Sequence, residues 1–213
     1  MPHPPPTDLR PFFLTLEDLD GPIEWSEFFG NSNPVELDVG SGRGLFLVSA
    51  GSEHPEVNYL GIELDYREGR RAARRLKKRN MPNVRVLGAD ARVALASYIA
   101  AHSVQAVHLY FPDPWWKRKH LRRRLVTDEF VDQLALVLQP GGLLHSWSDV
   151  EDYFRIIAAL FDHHPRFEKL PPPDQTEPIH DMDYRTSFER RKRQDGCTIW
   201  RGLWKRTPDD ATT

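Results

Sequence analysis

Short apolar runs recur along the middle of the chain, each bounded by glycine, proline or polar residues. Runs of this length and composition predict buried β-strands. Between them lie longer segments whose apolar residues recur at helical spacing. The predicted strands are 34–39, 57–63, 83–88, 104–110 and 142–147, and the predicted helices are 43–52, 66–79, 91–101, 126–138 and 150–163. This alternation of strands and helices indicates an α/β protein with a mostly parallel sheet.

The chain on either side of this alternation has a different pattern. Residues 1–33 combine prolines, acidic residues and aromatic residues without a sustained period, which predicts an irregular N-terminal segment. We expect it to pack partly through the rings of Phe12, Phe13, Trp25, Phe28 and Phe29. The apolar run 198–204 predicts a closing antiparallel strand, and a frayed tail is expected over 207–213. One domain over 34–206 accounts for the rest of the chain.

Two boundaries of the fourth predicted helix carry local signals. Thr127 is a candidate N-cap, and the acidic residues Asp128 and Glu129 fall in the first turn. The segment 139–142 reads Gln-Pro-Gly-Gly, which predicts the end of the helix and a turn into the next strand.

Composition restricts the class of protein. The chain has 213 residues, of which 39% are hydrophobic and 28% charged, as is typical of one globular domain. The longest apolar runs are far shorter than a membrane span, and the N-terminus lacks the layout of a secretion signal. The single cysteine, Cys197, excludes an internal disulfide and a cysteine-rich zinc site. We therefore expect no metal, no membrane and a reducing, cytoplasmic environment.

The most informative motif lies where the first of these strands meets its helix. Residues 36–44 read Glu-Leu-Asp-Val-Gly-Ser-Gly-Arg-Gly, with glycines at Gly40, Gly42 and Gly44. The second strand then ends in Glu63, placed where a carboxylate can accept from both ribose hydroxyls. A glycine turn that opens a helix, followed by such a carboxylate, is how a doubly wound sheet binds an adenosine-containing cofactor.

Two details favour S-adenosylmethionine (SAM) over a dinucleotide. A dinucleotide fingerprint has the spacing Gly-x-Gly-x-x-Gly/Ala, whereas Leu45 follows Gly44 here. Asp38 lies two residues before the turn, where a carboxylate would repel a pyrophosphate but attract the ammonium and sulfonium of a methionine moiety. We therefore predict a SAM pocket, and a dehydrogenase fits the pattern less well.

An acidic residue also follows the next strand. Ligands of such a sheet bind beyond the carboxyl ends of its strands. The third strand is followed by Asp90-Ala91, where the carboxylate is suited to accept from an adenine amino group. An acid at this place is often only the N-cap of the following helix, and that alternative stays open for Asp90. Together with Asp38 and Glu63, three successive strands end in acids.

The fourth strand leads into the candidate catalytic loop. Residues 111–117 read Phe-Pro-Asp-Pro-Trp-Trp-Lys. Each proline keeps its predecessor out of helical geometry, so we predict that Asp113 is held rigidly at the sheet edge with an aromatic ring close behind. A rigid, flat, hydrogen-bonding site beside a methyl donor suits a nucleobase. The alternative is a structural Pro-Trp turn that Asp113 caps.

Three basic runs stand out from a net charge of −2. They are 117–124, the cations of the helix 66–79, and Arg185 with 190–193. A charged helix face is usually only solvated, and we adopt that interpretation for the second run. The first run adjoins the candidate catalytic loop, where arginine and lysine can follow a phosphate backbone around a base pocket.

Taken together, these residues resemble the bacterial, single-chain tRNA (guanine-N7)-methyltransferases. The resemblance covers 34–205 and is most specific over 111–120, with 123–126 behind it. It also includes 61–63, Ser148-Asp149 and 186–189. It implies a Rossmann-like class I SAM methyltransferase fold, with helices on both faces of a mostly parallel, seven-stranded sheet and an antiparallel C-terminal strand. It also implies transfer of a methyl group from SAM to N7 of guanine 46 in the tRNA variable loop.

The resemblance further implies which residues touch each partner. The implied SAM contacts are Asp38, Glu63, Asp90 and Asp113, beside Gly40, Gly42, Gly44 and Ala91 of the cofactor motifs. The implied tRNA contacts are Lys117, Asp149, Thr186, Ser187, Phe188 and Glu189. Two positions depart from the family pattern, because Asp38 is commonly glutamate and Ser148 is commonly threonine. The N-terminal segment is acidic rather than basic, and the sequence leaves monomer and homodimer both open.

Methylation at N7 requires no general base. Guanine N7 has a lone pair and no proton, and the sulfonium loses its positive charge as the purine gains one. Catalysis is therefore expected from alignment and from charges suited to a cationic ring. We expect Asp113 to accept from the guanine N1–H and N2 amino edge and to stabilise the cationic product, and Lys117 to hold phosphate.

Two other functions stay open at this point. Asp113-Pro114-Trp115 loosely resembles the Asp/Asn-Pro-Pro-aromatic motif of enzymes that methylate exocyclic amino groups of nucleobases, although the second proline is missing. A non-catalytic RNA-binding protein with the same fold is the other alternative, and the acids at every strand end argue against it.

Overall fold

The described strands form a single sheet. The structure is a computed structural model that describes residues 8–115, 118–172 and 187–209. The strands β1 to β8 are Phe13–Thr15, Val35–Val39, Asn58–Glu63, Val84–Gly88, Val104–Tyr110, Leu138–Ser148, Phe167–Leu170 and Trp200–Arg206. The helices α1 to α7 are Trp25–Phe29, Leu45–Glu53, Tyr66–Arg79, Ala91–Ser97, Asp128–Val137, Glu151–His163 and Ser187–Gln194. Short 3₁₀ segments cover Leu16–Asp18 and Arg118–Arg123.

Strand order places a switch point in the middle of the sheet. The order is β1-β4-β3-β2-β5-β6-β8-β7. β8 is antiparallel to both of its neighbours, and the other pairings are parallel. From β2 the chain extends the sheet to one side through β3 and β4, and then to the other side through β5 and β6. The crevice between β2 and β5 is therefore the expected ligand position, and the predicted mostly parallel sheet is confirmed.

The sheet has eight strands instead of the seven that the resemblance implies, because the N-terminal segment adds one. The six strands predicted from the apolar pattern leave out this strand and β7. The N-terminal strand, β1, pairs in parallel with β4. The Phe13 ring of this strand packs against two glycines, Gly69 and Gly88. A Cβ on either glycine would lie only 2.9 Å or 2.7 Å, respectively, from the ring. The expected packing of Phe13 and Phe29 is confirmed, because both side chains are buried. A three-residue strand is too short for its alternation to be recognised in a sequence.

The boundary signals of the fourth predicted helix are only partly confirmed. Thr127 is the N-cap of α5, and its hydroxyl oxygen accepts from the Phe130 amide at 3.3 Å. The predicted turn 139–142 lies inside β6, where it shifts the register of pairing with β5 instead of preceding the strand. At Thr207, the first residue of the expected tail, the amide donates to the Arg166 carbonyl at 2.9 Å.

Helices pack on both faces of the sheet, as predicted. α4, α5 and α6 cover one face, with Leu95, Phe130 and Phe161 among the buried side chains. α2 and α3 cover the other face, which includes Phe46 and Leu76. Each helix returns the chain to the start of the next parallel strand, so the carboxyl ends of β2, β3, β4 and β5 meet at one edge.

The described ranges contain neither a candidate membrane-spanning helix nor a candidate metal site. None of their helices combines the length and the apolar character that crossing a bilayer requires. The same ranges contain no group of three or more His, Cys, Asp and Glu side chains arranged to bind a metal ion.

Candidate active site

The glycine turn joins β2 to α2 in a conformation that favours glycine. Gly40, Gly42 and Gly44 have φ angles of +80°, +52° and +67°, in the left-handed region. Gly44 is also the N-cap of α2, and a Cβ there would lie 2.8 Å from the Ala72 Cβ of α3. The turn is tied to β3 because the Gly40 amide donates to the Ile62 carbonyl at 2.8 Å. Glycine is therefore needed here both for the backbone angle and for close helix packing.

Glu63, at the end of β3, holds this turn from the other side. One carboxylate oxygen accepts from the Gly42 amide at 2.7 Å, and the other accepts from the Asp65 amide at 2.8 Å. Burial raises the pKa of Glu63, while these backbone hydrogen bonds lower it in part. Each carboxylate oxygen has a further lone pair, so Glu63 can orient the turn and still accept from a ligand.

Asp38 is a buried carboxyl group with an unusual protonation equilibrium. Its side chain is almost fully buried, and burial together with the nearby charge of Glu63 raises its pKa to about 8. No hydrogen bond from the described part of the chain offsets the burial. A cation beside this group would lower its pKa and stabilise the carboxylate, so the site suits a positively charged ligand.

Asp90 makes the helix-capping bonds that the sequence left open. Its carboxylate accepts from the Arg92 amide at 2.9 Å and caps α4. The Arg92 guanidinium also donates to it, at 3.1 Å and 2.6 Å, and this hydrogen bonding lowers the pKa of Asp90. Asp90 and Ala91 nevertheless line the same cavity as Glu63. The cap and a place beside a ligand are therefore compatible.

Two cavities open at the carboxyl edge of the sheet. The Glu63 cavity has a volume of about 600 Å³ and extends over Ile62, Asp90 and Ala91. The Asp38 cavity has a volume of about 450 Å³ and includes Gly42. Both are lined by Gly40 and 110–113, so they adjoin at the end of β5. Each volume lies within the range of small-molecule sites, and together they suit an elongated ligand with chemically different ends.

The loop after β5 presents Asp113 where these cavities meet. Phe111 and Trp115, on either side of the two prolines, have φ angles of +53° and +40°. Bulky residues rarely adopt this left-handed region, and such backbone outliers cluster at functional sites. The Phe111 amide donates to the Trp147 carbonyl at 2.8 Å, which ties the start of the loop to β6. Asp113 itself is exposed and lines both cavities.

Trp115 connects this loop with the first basic run. The Arg123 guanidinium lies 5.1 Å from the Trp115 ring centroid, and the His120 ring lies 5.6 Å from it. The Arg124 guanidinium donates to the Pro114 carbonyl at 2.8 Å. Arg123 also lines the Glu63 cavity. The basic run therefore borders the cavity, as expected from its position next to Asp113 in the sequence.

The residues implied as tRNA contacts fall in different places. Asp149 lines the Asp38 cavity and pairs with Lys192 of α7 at 2.9 Å. Glu189 of α7 is 2% exposed, and its carboxylate lies 3.3 Å from Arg201 and 3.7 Å from Arg193. Ser187 and Phe188 are the first two residues of α7, whereas Lys117 and Thr186 lie outside the described residues.

A buried polar chain below the Asp38 cavity was missed by sequence reasoning. The Tyr110 hydroxyl lies 2.9 Å from His108 Nδ1, and His108 Nε2 lies 2.7 Å from a Glu36 carboxylate oxygen. Tyr110 lines both cavities. The only signal in the sequence is that positions 36 and 38 of β2, like 108 and 110 of β5, point to one face. Their meeting depends on the register, which pairs Asp38 with His108.

Comparison with known proteins decides the family. The family model described as "Putative methyltransferase" matches residues 32–202. A tRNA (guanine-N(7)-)-methyltransferase of Rhodopirellula baltica is 38% identical over 95% of this chain and 77% of that protein. The protein of the same name from Syntrophotalea carbinolica is 40% identical over 76% of this chain and 71% of that protein. This chain belongs to the tRNA (guanine-N7)-methyltransferase family.

Solved structures of other methyltransferases share the fold. The 16S rRNA methyltransferase KamB has a TM-score of 0.61 at 17% identity, with 86% of this chain and 93% of that chain covered. The aminoglycoside resistance methyltransferase NpmB1 has a TM-score of 0.56 at 16% identity, with 85% and 91% covered. At these identities the likeness establishes the fold alone. It confirms the class I SAM methyltransferase fold predicted from the sequence.

The enzyme uses SAM as its cofactor, and the described site fits that molecule. A neighbouring cation would stabilise the ionised form of the buried Asp38 side chain. SAM carries two positive charges at its methionine end. The Glu63 carboxylate oxygens are oriented by backbone amides and border a second, adjoining cavity. The Asp38 cavity thus suits the cationic methionine end of SAM, and the Glu63 cavity suits the end that carries the ribose hydroxyls.

Proposed function

We propose that this enzyme transfers a methyl group from SAM to N7 of guanine 46 in the variable loop of tRNA. The observation that carries the proposal is the place of Asp113, which is held between two prolines at the junction of the two cavities. Further support comes from the relatives, which are named for guanine-N7 methylation of tRNA. Because the proposed substrate is tRNA, we assign the enzyme to the cytoplasm.

Three carboxylates hold different parts of the cofactor in this proposal. Asp38 faces the cationic methionine end, where its carboxylate form is favourable. Glu63 accepts from the ribose hydroxyls with the lone pairs that its two backbone bonds leave. Asp90 and Ala91 border the adenine while Asp90 continues to cap α4. Bound SAM supplies a methyl carbon that is electrophilic because it is attached to a positively charged sulfur.

Asp113 recognises the guanine and stabilises its product charge. N7 carries no proton, so no residue acts as a base in the transfer. The Asp113 carboxylate accepts from N1–H and the N2 amino group, and its negative charge favours the cationic purine. Its position needs little reorganisation, because the backbone on either side is fixed by Pro112, Pro114 and the bond from the Phe111 amide to Trp147.

The RNA backbone contacts come from segments around the cavity mouth. Arg123, stacked on Trp115, lies beside the Glu63 cavity and is placed for phosphate. We assign Lys117, Asp149 and 186–189 to tRNA on the family resemblance. Within that last segment Glu189 acts by positioning α7, because its carboxylate is buried against arginines instead of facing solvent.

The test is to map the methyl group. The enzyme is incubated with labelled SAM and bulk tRNA that lacks N7-methylguanosine, and the RNA is then digested with nuclease and analysed by mass spectrometry. We expect N7-methylguanosine at position 46 and no labelled amino-methylated base. An Asp113→Asn protein provides the matched control, because it keeps the shape of the side chain and loses the charge.

This mapping, together with a calorimetric measurement of SAM binding, separates the two alternatives. A methyl group on an exocyclic nitrogen of adenine or guanine would replace this proposal by the amino methyltransferase. RNA binding without any SAM binding in calorimetry would replace it by the non-catalytic protein.

A further inference from the structure

Helix α3 carries a line of cations along its exposed face. Arg67, Arg71, Arg74 and Lys78 follow the spacing i, i+4, i+7 and i+11, so their side chains share one side of the helix. We name these four residues the α3 ridge. It spans about 16 Å at 1.5 Å per residue. The opposite side of α3 is buried against the sheet through small and apolar residues, which are Gly69, Ala72, Ala73 and Leu76.

Most of this charge is not neutralised within the described residues. Glu68 is the acid in the first turn, and it pairs with Arg71 and with Arg43 of the glycine turn. Arg67, Arg74 and Lys78 are exposed, and no carboxylate in the described ranges forms an ion pair with them. A helix face that is merely solvated commonly alternates charges, whereas this ridge keeps a single sign.

The α3 ridge begins at the mouth of the Glu63 cavity. Leu64 lines that cavity and is 69% exposed, and Tyr66, the first residue of α3, is 49% exposed. Arg67 follows directly. Exposed aromatic and aliphatic side chains next to unpaired cations are the arrangement with which proteins bind single-stranded nucleic acid, by stacking and by charge. The ridge therefore continues the active-site rim away from the methylated base.

We propose that the α3 ridge binds the phosphate backbone of the tRNA segment that flanks the methylated guanine, with Tyr66 contacting a base or sugar beside the cavity. This inference rests on the proposed function, and it replaces the solvated-face interpretation of the second basic run. The line of charge starts beside the proposed nucleobase site and follows one side of α3. A polyanionic strand that leaves the cavity mouth is the partner with matching shape and charge.

The test compares two pairs of substitutions. In the ridge variant, Arg74→Gln is combined with Lys78→Gln, which removes two charges and keeps good helix formers. In the control variant, Lys169→Gln is combined with Lys205→Gln, which removes two charges from β7 and β8 at the far end of the sheet. Binding of full-length tRNA without N7-methylguanosine is measured by fluorescence anisotropy over a range of salt concentrations.

The expected result follows from counterion release. Each lost phosphate contact reduces the salt slope of log K by about 0.7 for a single strand and 0.9 for a duplex, so the ridge variant should lose about 1.4–1.8. At 0.15 M salt the same relation predicts binding that is weaker by about 15–30-fold. The KM for tRNA should rise, while kcat at saturating tRNA and the Kd for SAM stay near the parent values. The charge-keeping pair Arg74→Lys with Lys78→Arg should restore binding.

Two results would overturn the inference. One is a ridge variant with the parent salt slope, since the face is then only solvated. The other is a control variant that loses as much as the ridge variant, since any cation on the molecule then acts alike. Failure of the proposed function looks different, because the parent enzyme itself would then leave guanine N7 of tRNA unmethylated whatever the ridge variant does.

Discussion

At the scale of single residues, the site is governed by carboxyl groups whose protonation depends on their surroundings. Asp38 is buried near Glu63 without a hydrogen bond from the described chain, and its pKa is raised to about 8. Asp90 differs, because donors from Arg92 keep its pKa low. The two acids therefore suit different tasks. We expect Asp38 to lose its proton when a cation binds beside it and Asp90 to remain a carboxylate throughout.

The first prediction is that SAM binding releases a proton near neutral pH. Asp38 is mostly protonated in the unliganded enzyme at pH 7 and becomes a carboxylate beside the bound cation, so affinity should rise up to tenfold per pH unit from pH 6 to about 8. Calorimetry at pH 7 in buffers of different ionisation enthalpy measures the released proton. The control is Asp38→Asn, which leaves Glu63 as the nearby titratable carboxyl group. Equal proton release in both proteins would show that Asp38 is not the linked group.

The second prediction concerns Asp113→Asn. The substitution keeps the shape but removes a negative charge and turns an acceptor into a donor, so kcat should fall by roughly 10²–10³, as for loss of one stabilising group elsewhere. In single-turnover experiments with SAM saturating at every pH, the parent rate should be flat from mildly acidic to neutral pH, because guanine N7 has no proton to lose. A parent rate that climbs steadily between pH 7 and 9 would indicate removal of a proton, and would favour methylation of an amino group.

At the scale of elements, two backbone segments set the geometry of the site. The glycine turn needs left-handed angles at alternate residues, and the loop after β5 needs them at Phe111 and Trp115. Glycine adopts this region without strain, so the first segment is recognisable from its sequence. In the second segment bulky residues hold the same kind of angle, and the surrounding structure must enforce it. The bonds to Trp147 and from Arg124 provide that support.

The third prediction is that Gly44→Ala destabilises the fold by about 2–4 kcal/mol. About 1–2 kcal/mol comes from an alanine at φ +67°, and the rest comes from contact with the Ala72 Cβ, which would lie 2.8 Å away. The measurement is the free energy of unfolding in denaturant. A matched control is Gly40→Ala, which has a similar angle, +80°, but no heavy atom within 4 Å of the new Cβ, and should cost less.

A double-substitution cycle isolates the contact term of this prediction. Ala72→Gly by itself should cost about 1 kcal/mol as a glycine inside a helix. Combined with Gly44→Ala it should cost less than the sum of the two single changes, because the close approach of the two Cβ atoms is removed. Strict additivity would mean that helix packing plays no part in the requirement for Gly44.

At the scale of the whole molecule, the sheet order gathers distant residues at one edge. Asp38 lies near the end of β2 and Glu63 ends β3, while Asp90 and Asp113 come shortly after β4 and β5. Parallel pairing of these four strands brings their ends side by side. In the proposed binding mode, the cofactor contacts the ends of all four central strands. Binding should therefore stabilise the folded state as a unit instead of ordering one local segment.

The fourth prediction is a SAM-dependent rise in thermal stability. At a concentration 100 times its Kd, SAM should add about 2.7 kcal/mol and raise Tm by about 5–10 °C for a chain of this size. At one fixed SAM concentration the rise should be larger at pH 8 than at pH 6, because affinity increases as Asp38 ionises more readily. Thermal melts with and without SAM at the two pH values measure both effects. A Tm shift that is the same at pH 6 and pH 8 in the parent would contradict the linkage.

Most of the architecture and the main site motifs were predictable, because they depend on short stretches of chain. Apolar periodicity predicts strands and helices, glycine spacing predicts the turn, and Thr127 predicts a helix start, each from residues within a few positions. The acids at the strand ends follow from the same local alternation. Short β1 and the bulge at 139–142 were not recognised, since each is defined by pairing with another strand.

Tertiary packing decides the hydrogen-bond partners, the burial and the pKa of side chains whose neighbours are distant in sequence. Glu36 and His108 are 72 residues apart, yet the register of β2 and β5 brings their side chains to 2.7 Å. The raised pKa of Asp38 and the burial of Glu189 against Arg201 likewise come from the surrounding fold. A sequence states which groups are ionisable, but their solvation and their charged neighbours decide whether they carry charge. The motifs of this enzyme are therefore local, while the electrostatics that make them a site are tertiary.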